Sequence, residues 1–365
     1  MCYGIIDTVM RSLRPCGLAL AVLALLTGVT RSGISRAAET SLAIEAQDLL
    51  QLSVDQRRRL LRGEIVSYPV IENGEREIAV GFAMVVQARA AQIAQYLGSG
   101  QLVAQDTTIS ESGVLPSELL SEALVGPGFS SSEREEAQSF LEATPGVRFN
   151  LSLAEIEALR AARGSAAVSS RSGAAEISSD IYRRLLGLRV QSYRQAGLAG
   201  IAPYARAGGT VTEPAIDLRA ALQDVDRVGR AGAEFREALQ RYPADQPAQM
   251  TSQVYWVKRR VQRRPHVSLL HRMVATGEGP TIHLERYFYV EHSFNSMQTL
   301  TWALPYEDAT MVFSITRVST DEVLGVGSPL KRSVGRGQVR DEMRTRLERL
   351  RSAYAARPVV TTESP

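Results

Sequence analysis

All four histidines of the chain, His266, His271, His283 and His292, fall within 27 residues. Imidazoles gathered in this way are the raw material of acid–base and metal chemistry near neutral pH. Their spacing fits neither HExxH nor the Cys/His zinc patterns. Period-two alternation also divides them, because His271 falls with Val267, Leu269 and Met273 while His283 falls on the polar side of its own segment. No metal and no cofactor is expected. The arginines are more suggestive. Arg286 shares parity with Ile282, Leu284, Phe288 and Val290, and Arg317 with Met311, Phe313 and Ile315. His292 continues the apolar side of Arg286's segment. If these faces line one interior, two guanidiniums and one or two imidazoles point inward, and buried charge must be paired or must bind something. The expected ligand is the carboxylate or phosphate head of an amphipathic molecule, held at His271, Arg286, His292 and Arg317 with its tail on the apolar residues. The competing explanation is structural: Asp or Glu partners at the rim, or helix C-terminal carbonyls, answer the arginines.

Other site motifs are missing or weak. There is no G-x-S-x-G, no P-loop and no dinucleotide fingerprint. Gly325-Val-Gly-Ser-Pro-Leu-Lys331-Arg332 superficially resembles a phosphate loop, but Pro329 and its spacing fit a strand-to-helix turn better.

The elements that must position these residues are legible. Alternation predicts strands at Glu64–Val70, Arg76–Val86, Gln253–Val261, Val267–Ala275, Thr281–Glu291, Met297–Leu304 and Thr310–Val318, with Asn73-Gly74 as a hairpin turn. The short connections in the last third suit an antiparallel meander. Ser53-Val-Asp-Gln56, Ser132-Glu-Arg-Glu135 and Ser152-Leu-Ala-Glu155 read as capping boxes. Long helical stretches are expected at Asp180–Tyr204 and Asp217–Tyr242, and a Gly/Ser/Ala-rich flexible loop at 164–179. Val339, Met343, Leu347, Leu350 and Tyr354 give a C-terminal helix one apolar face. That helix carries nine basic residues over Lys331–Arg357, a candidate surface for anionic lipid heads or an acidic partner.

Arg11 and Arg14 precede the apolar run Gly17–Val29, which is too short to span a membrane, and Ser35-Arg36-Ala37 supplies small residues at a cleavage site. Residues 1–37 are therefore expected to be a signal peptide, with an uncleaved inner-membrane anchor as the alternative. Export predicts a periplasmic or secreted protein. The segment holds Arg11, Arg14, Arg31 and Arg36 against Asp7. Its removal takes four from 42 basic residues and one from 39 acidic ones, leaving 38 of each and no net charge. Nothing in that balance points to nucleic acid. Both cysteines, Cys2 and Cys16, leave with it, so no disulfide is expected in the mature chain.

The fold class expected is α+β: a curved antiparallel sheet packed on a long C-terminal helix, similar to the START-like helix-grip architecture. One domain is expected over 38–356, with a helical insertion at about 130–243 and a disordered tail at 357–365. Gly63-Glu-Ile-Val66, Arg76-Glu-Ile-Ala-Val-Gly-Phe82, Tyr255-Trp-Val-Lys258, Arg264-Pro265 and Gly327–Arg332 occur in the order found in a family of uncharacterised exported bacterial proteins, which the chain resembles over most of its mature length. It departs from that pattern at Thr144-Pro-Gly-Val-Arg-Phe149, where relatives tend to carry two cysteines. It departs again at Glu291-His-Ser-Phe-Asn295 and Thr316-Arg-Val318. The resemblance implies export and a common fold, and no catalytic residue. The leading expectation is a non-enzymatic envelope protein binding an amphipathic or lipid-like anion between sheet and C-terminal helix. The alternatives are a hydrolase with His271 or His292 as base, and an interaction protein acting through its basic helix.

Overall fold

In the computed structural model, residues 41–355 are described apart from 42, 117–123, 125, 164–173, 245 and 277–279. The expected signal peptide and the 357–365 tail lie outside them. Five long strands form a meander in chain order: β6 (Met250–Val261), β7 (Arg264–Ala275), β8 (Thr281–Val290), β9 (Ser296–Tyr306) and β10 (Ala309–Ser319). Earlier strands flank it. β1 (Val66–Tyr68) and β2 (Glu77–Val86) extend the sheet beyond β10, and β3 (Ile109–Leu115) pairs with β6 at the other edge. The result is one eight-stranded antiparallel sheet, and the α+β class is correct.

Helices cover both faces of this sheet. Between β3 and β6 the chain forms α3 (Arg134–Leu141), α4 (Leu153–Arg163), α5 (Ala174–Ala196), a small β4–β5 hairpin (Tyr204–Ala205 with Val211–Thr212), α6 (Pro214–Ala220) and α7 (Arg230–Arg241). Leu186, Val190 and Tyr193 of α5 pack with Leu269, Phe288 and Tyr289. Leu60 of α1 (Val54–Leu61), with Leu222, Val225 and Phe235, packs with Leu284, Trp302 and Phe313. The opposite face carries α2 (Ala90–Gly98) and the C-terminal α8 (Ser328–Ala355), whose Met343, Leu347 and Leu350 meet Phe82, Met84 and Val312. The apolar periodicity of α8 thus buries against the sheet as its spacing predicts. Two expectations are corrected locally: residues 174–179 of the supposed loop are helical, and the helix expected to run to Tyr204 ends at Ala196, where Gly197 turns with φ of 57°.

The basic helix spends much of its charge internally. Arg332 and Arg336 pair with Glu72, Arg346 with buried Glu285, and Arg349 with Asp106. Among the described residues no helix is long and apolar enough to cross a membrane.

Candidate functional site

Strand register places three of the four sequence-selected residues in one row. His271 of β7 stands opposite Arg286 of β8, which stands opposite Gln298 of β9, which stands opposite Arg317 of β10. All are buried, on the face covered by α5 and the 3-10 segment Ala221–Val228, away from α8. Arg317 is answered by acids. Its Nε and Nη2 donate to Asp224 at 2.6 and 3.1 Å, and its Nη1 donates to Glu77 at 2.7 Å. The structural explanation therefore holds for Arg317. Arg286 differs: its Nε donates to Gln298 Oε1 at 3.2 Å and its Nη1 to the Tyr193 hydroxyl at 3.2 Å, with no carboxylate on it among the described residues.

His271 joins this network. Its Nδ1 lies 2.8 Å from the Tyr193 hydroxyl and its Nε2 2.6 Å from Ser252 Oγ. One proton arrangement makes these three bonds together: Arg286 Nη1 donates to Tyr193, Tyr193 donates to Nδ1, and Nε2–H donates to Ser252. Ser252 is then an acceptor, not an activated nucleophile. Burial and the Arg286 charge hold the imidazole well below its ordinary pKa, so an imidazolium formed by proton abstraction would be disfavoured twice over. The geometry is a poor general base.

His292 is elsewhere, which corrects its expected parity. The β7–β8 register passes from Leu269↔Tyr289 to Leu270↔Tyr287, so Phe288 is an extra residue in β8. Such a bulge reverses the side-chain alternation beyond it. Phe288 and Tyr289 both pack with the insertion, and Phe288 stacks on Tyr193 at 4.0 Å. Val290 moves to the other face with Tyr287 and Leu270. His292 follows, its ring 4.8 Å from that of His266. Its Nε2 donates to the Pro265 carbonyl at 2.8 Å, and its Nδ1 accepts from the Ser293 hydroxyl at 2.6 Å. Burial lowers its pKa to about 4. His283 is fully buried, and burial lowers its pKa to about 3. Among the described residues no cluster of His, Cys, Asp or Glu is arranged to hold a metal.

His292 instead lines a polar cleft of about 500 Å³ at one end of the sheet, where segments from six places in the chain converge. Arg76, Arg148, Arg206 and Arg264 line it. Arg206 is the hub: Nε donates to Asp321 at 2.9 Å, and Nη2 donates to Asn150 Oδ1 and Asn295 Oδ1 at 2.9 and 2.8 Å. Asn150 is itself fixed by donating to the Val290 and Phe294 carbonyls, and its backbone N–H donates to Glu291. Asp321 also meets Arg76 at 3.1 Å, while Glu136 is shared by Arg148 and Arg264 at 2.8 and 2.5 Å. Two carboxylates thus serve four guanidiniums, and among the described lining residues only Asp321 and Glu322 are acids, Glu136 standing behind the wall. The balance stays positive. Asn295 lies 3% exposed with its amide nitrogen unpartnered among the described residues. Three of the six described non-glycine residues with left-handed backbone, Arg148 (φ 64°), Gln262 (φ 51°) and Ser293 (φ 71°), line the same cleft. At Gln262 this is the ordinary backbone of a two-residue hairpin turn between β6 and β7, but Arg148 and Ser293 are held so in the cleft's own loops, and strain there is a mark of functional sites. Beside the cleft, burial pushes the Glu291 carboxyl up to about 8.

A second concavity, of about 750 Å³, runs between α2 and the ends of β6 to β9. Ala90, Ala94, Val274 and Pro305 give it an apolar lining, with Arg272 on its wall. Arg272 pairs with Glu285 at 3.2 Å, and Glu285 is shared with Arg346.

No family model, curated protein or solved structure matches the chain.

Proposed function

We propose that this is an exported, non-enzymatic binding protein that holds a small anionic ligand in the arginine-lined cleft. Export rests on the basic and apolar pattern of the first 37 residues. The anion preference rests on one observation above all: Glu136 and Asp321 are each divided between two guanidiniums, leaving donors and charge available to a carboxylate or phosphate. The proton arrangement around His271 and the lowered pKa of both candidate bases favour binding over hydrolysis. The internal pairing of Arg332, Arg336, Arg346 and Arg349 disfavours a basic docking helix.

A second reading keeps the amphipathic ligand but moves it. Met343, Leu347 and Leu350 fill the space under α8, whereas the α2 groove combines apolar walls with Arg272. Calorimetric titration of the mature protein with inorganic phosphate and with octanoate separates the two. Arg76→Gln and Arg148→Gln, both at half-exposed positions, should each weaken binding about tenfold or more if the cleft is the site. Octanoate binding lost only in Ala94→Phe would assign the groove. Unchanged binding in all three variants, or none in the wild type, refutes both.

A further inference from the structure

Arg286 is the largest charged side chain sealed in the interior, at 0% exposure. Its Nη2 has no hydrogen-bond partner among the described residues, and its other nitrogens meet only neutral oxygens, those of Gln298 and Tyr193. No carboxylate among the described residues supplies the missing negative charge. His271 stands opposite it across β7–β8, and the positive charges of both Arg286 and Arg194 act on that imidazole. Tyr242, whose ring lies 4.5 Å from that of His271, likewise feels Arg194 and Arg286. The next cation in the row, Arg317, already engages Asp224 and Glu77. An ionised guanidinium keeps its proton at any accessible pH and is costly to bury without a counter-charge.

We infer that Arg286 is the floor of an internal anion site, occupied by a small monovalent anion, a halide or a formate-sized carboxylate, between β8 and α5. The unpartnered Nη2–H is its first donor. This site is distinct from the arginine cleft. Arg286 belongs to the insertion-covered face, whereas the cleft is built by the loops at the sheet's end, and the two share no lining residue. The bulge at Phe288 contributes by stacking Tyr193 in place, which fixes the hydroxyl that holds Arg286. The anion would thus pin α5 to the sheet.

Thermal and chemical unfolding in sodium chloride, bromide, formate and gluconate, at one fixed ionic strength, tests this. A ligand bound only by the folded state raises the folding equilibrium constant about tenfold for each tenfold rise in its concentration above Kd. Chloride or bromide should produce that slope if the ion is a halide, and formate if it is a carboxylate, while gluconate is too large. Arg286→Met should abolish the slope. Tyr193→Phe, which retains the stacked ring, should shift it to severalfold higher anion concentration, and keeps the test alive should Arg286→Met fail to fold. Arg160→Gln, at an exposed position outside both sites, should leave it intact. A wild type indifferent to the exchange of gluconate for all three small anions overturns the inference. So does an unchanged slope in Tyr193→Phe together with its loss in Arg160→Gln.

Discussion

Replacing Arg317 by Met isolates the cost of one buried ion pair. Arg317 is 3% exposed and makes a two-nitrogen contact with Asp224, itself 1% exposed, plus a third bond to Glu77. Met keeps most of the apolar stem but strands the Asp224 carboxylate beneath the insertion. Stranding one member of a buried pair typically costs about 3–5 kcal/mol. Asp224 retains Arg227 at 3.4 Å, and Arg227 is one-third exposed, which argues for the lower end of that range. For a chain of this size the unfolding entropy near the midpoint is about 0.7 kcal/mol per kelvin, so Tm should fall by roughly 4–6 °C. Calorimetry of wild type, Arg317→Met and the double variant Arg317→Met/Asp224→Leu measures this. The double variant should recover most of the loss, because the buried Asp224 carboxylate is gone and the less buried Glu77 keeps its bonds from Asn73. A single variant that melts within a degree of wild type, or a double variant no better than the single, would refute the assignment of Arg317 to a structural pair.

Glu291→Gln should flatten the alkaline side of the stability profile. A carboxyl whose folded pKa is raised to about 8 binds its proton more tightly folded than unfolded, so its contribution is complete below about 4.5 and is lost as pH rises through 8. Urea unfolding should show the wild type losing on the order of 4 kcal/mol across that window relative to the Gln variant; parallel profiles would contradict this. The four buried histidines act in the opposite sense: their lowered folded pKa values make stability fall as pH drops below about 6.5, and His292→Gln should reduce that acid loss. Gly126→Ala should cost about 1–3 kcal/mol, since a Cβ there would lie 2.1 Å from the Trp256 ring, and the displaced indole should change tryptophan fluorescence. Unaltered emission and stability would mean the Gly126 backbone yields instead.

The sheet was readable because period-two alternation in the last third is strong and its turns are short. Register did the rest: residues of like parity, His271, Arg286 and Arg317, came to share one row. Gln298 completes that row and was overlooked because a neutral amide in an apolar strand carries no charge signal. The arginine cleft was much less legible. Arg76, Arg148, Arg206 and Arg264 are scattered over nearly 190 residues, and only the convergence of loops at one sheet end brings them together. In a chain whose basic residues are almost all arginine, no single one stands out.

His292 shows where pattern reasoning fails for a physical reason. Counting by twos from Arg286 puts it on the insertion side, and would be right in an unbroken strand. Phe288 interrupts the count: Phe288 and Tyr289 both pack with the insertion, and every later residue changes side. Nothing in Arg286-Tyr-Phe-Tyr-Val290 announces this, because three consecutive aromatics satisfy either register. The burial demand settles it. Phe288 gives Tyr193 of α5 a flat ring to stack on while Tyr289 takes the place opposite Leu269; the extra residue lets β8 supply both. The same half-turn carries His292 out of the buried row and into the wall of the arginine cleft. One bulge therefore separates the internal cation network from the open cleft, and a deletion of Phe288 should merge their parity and destroy both.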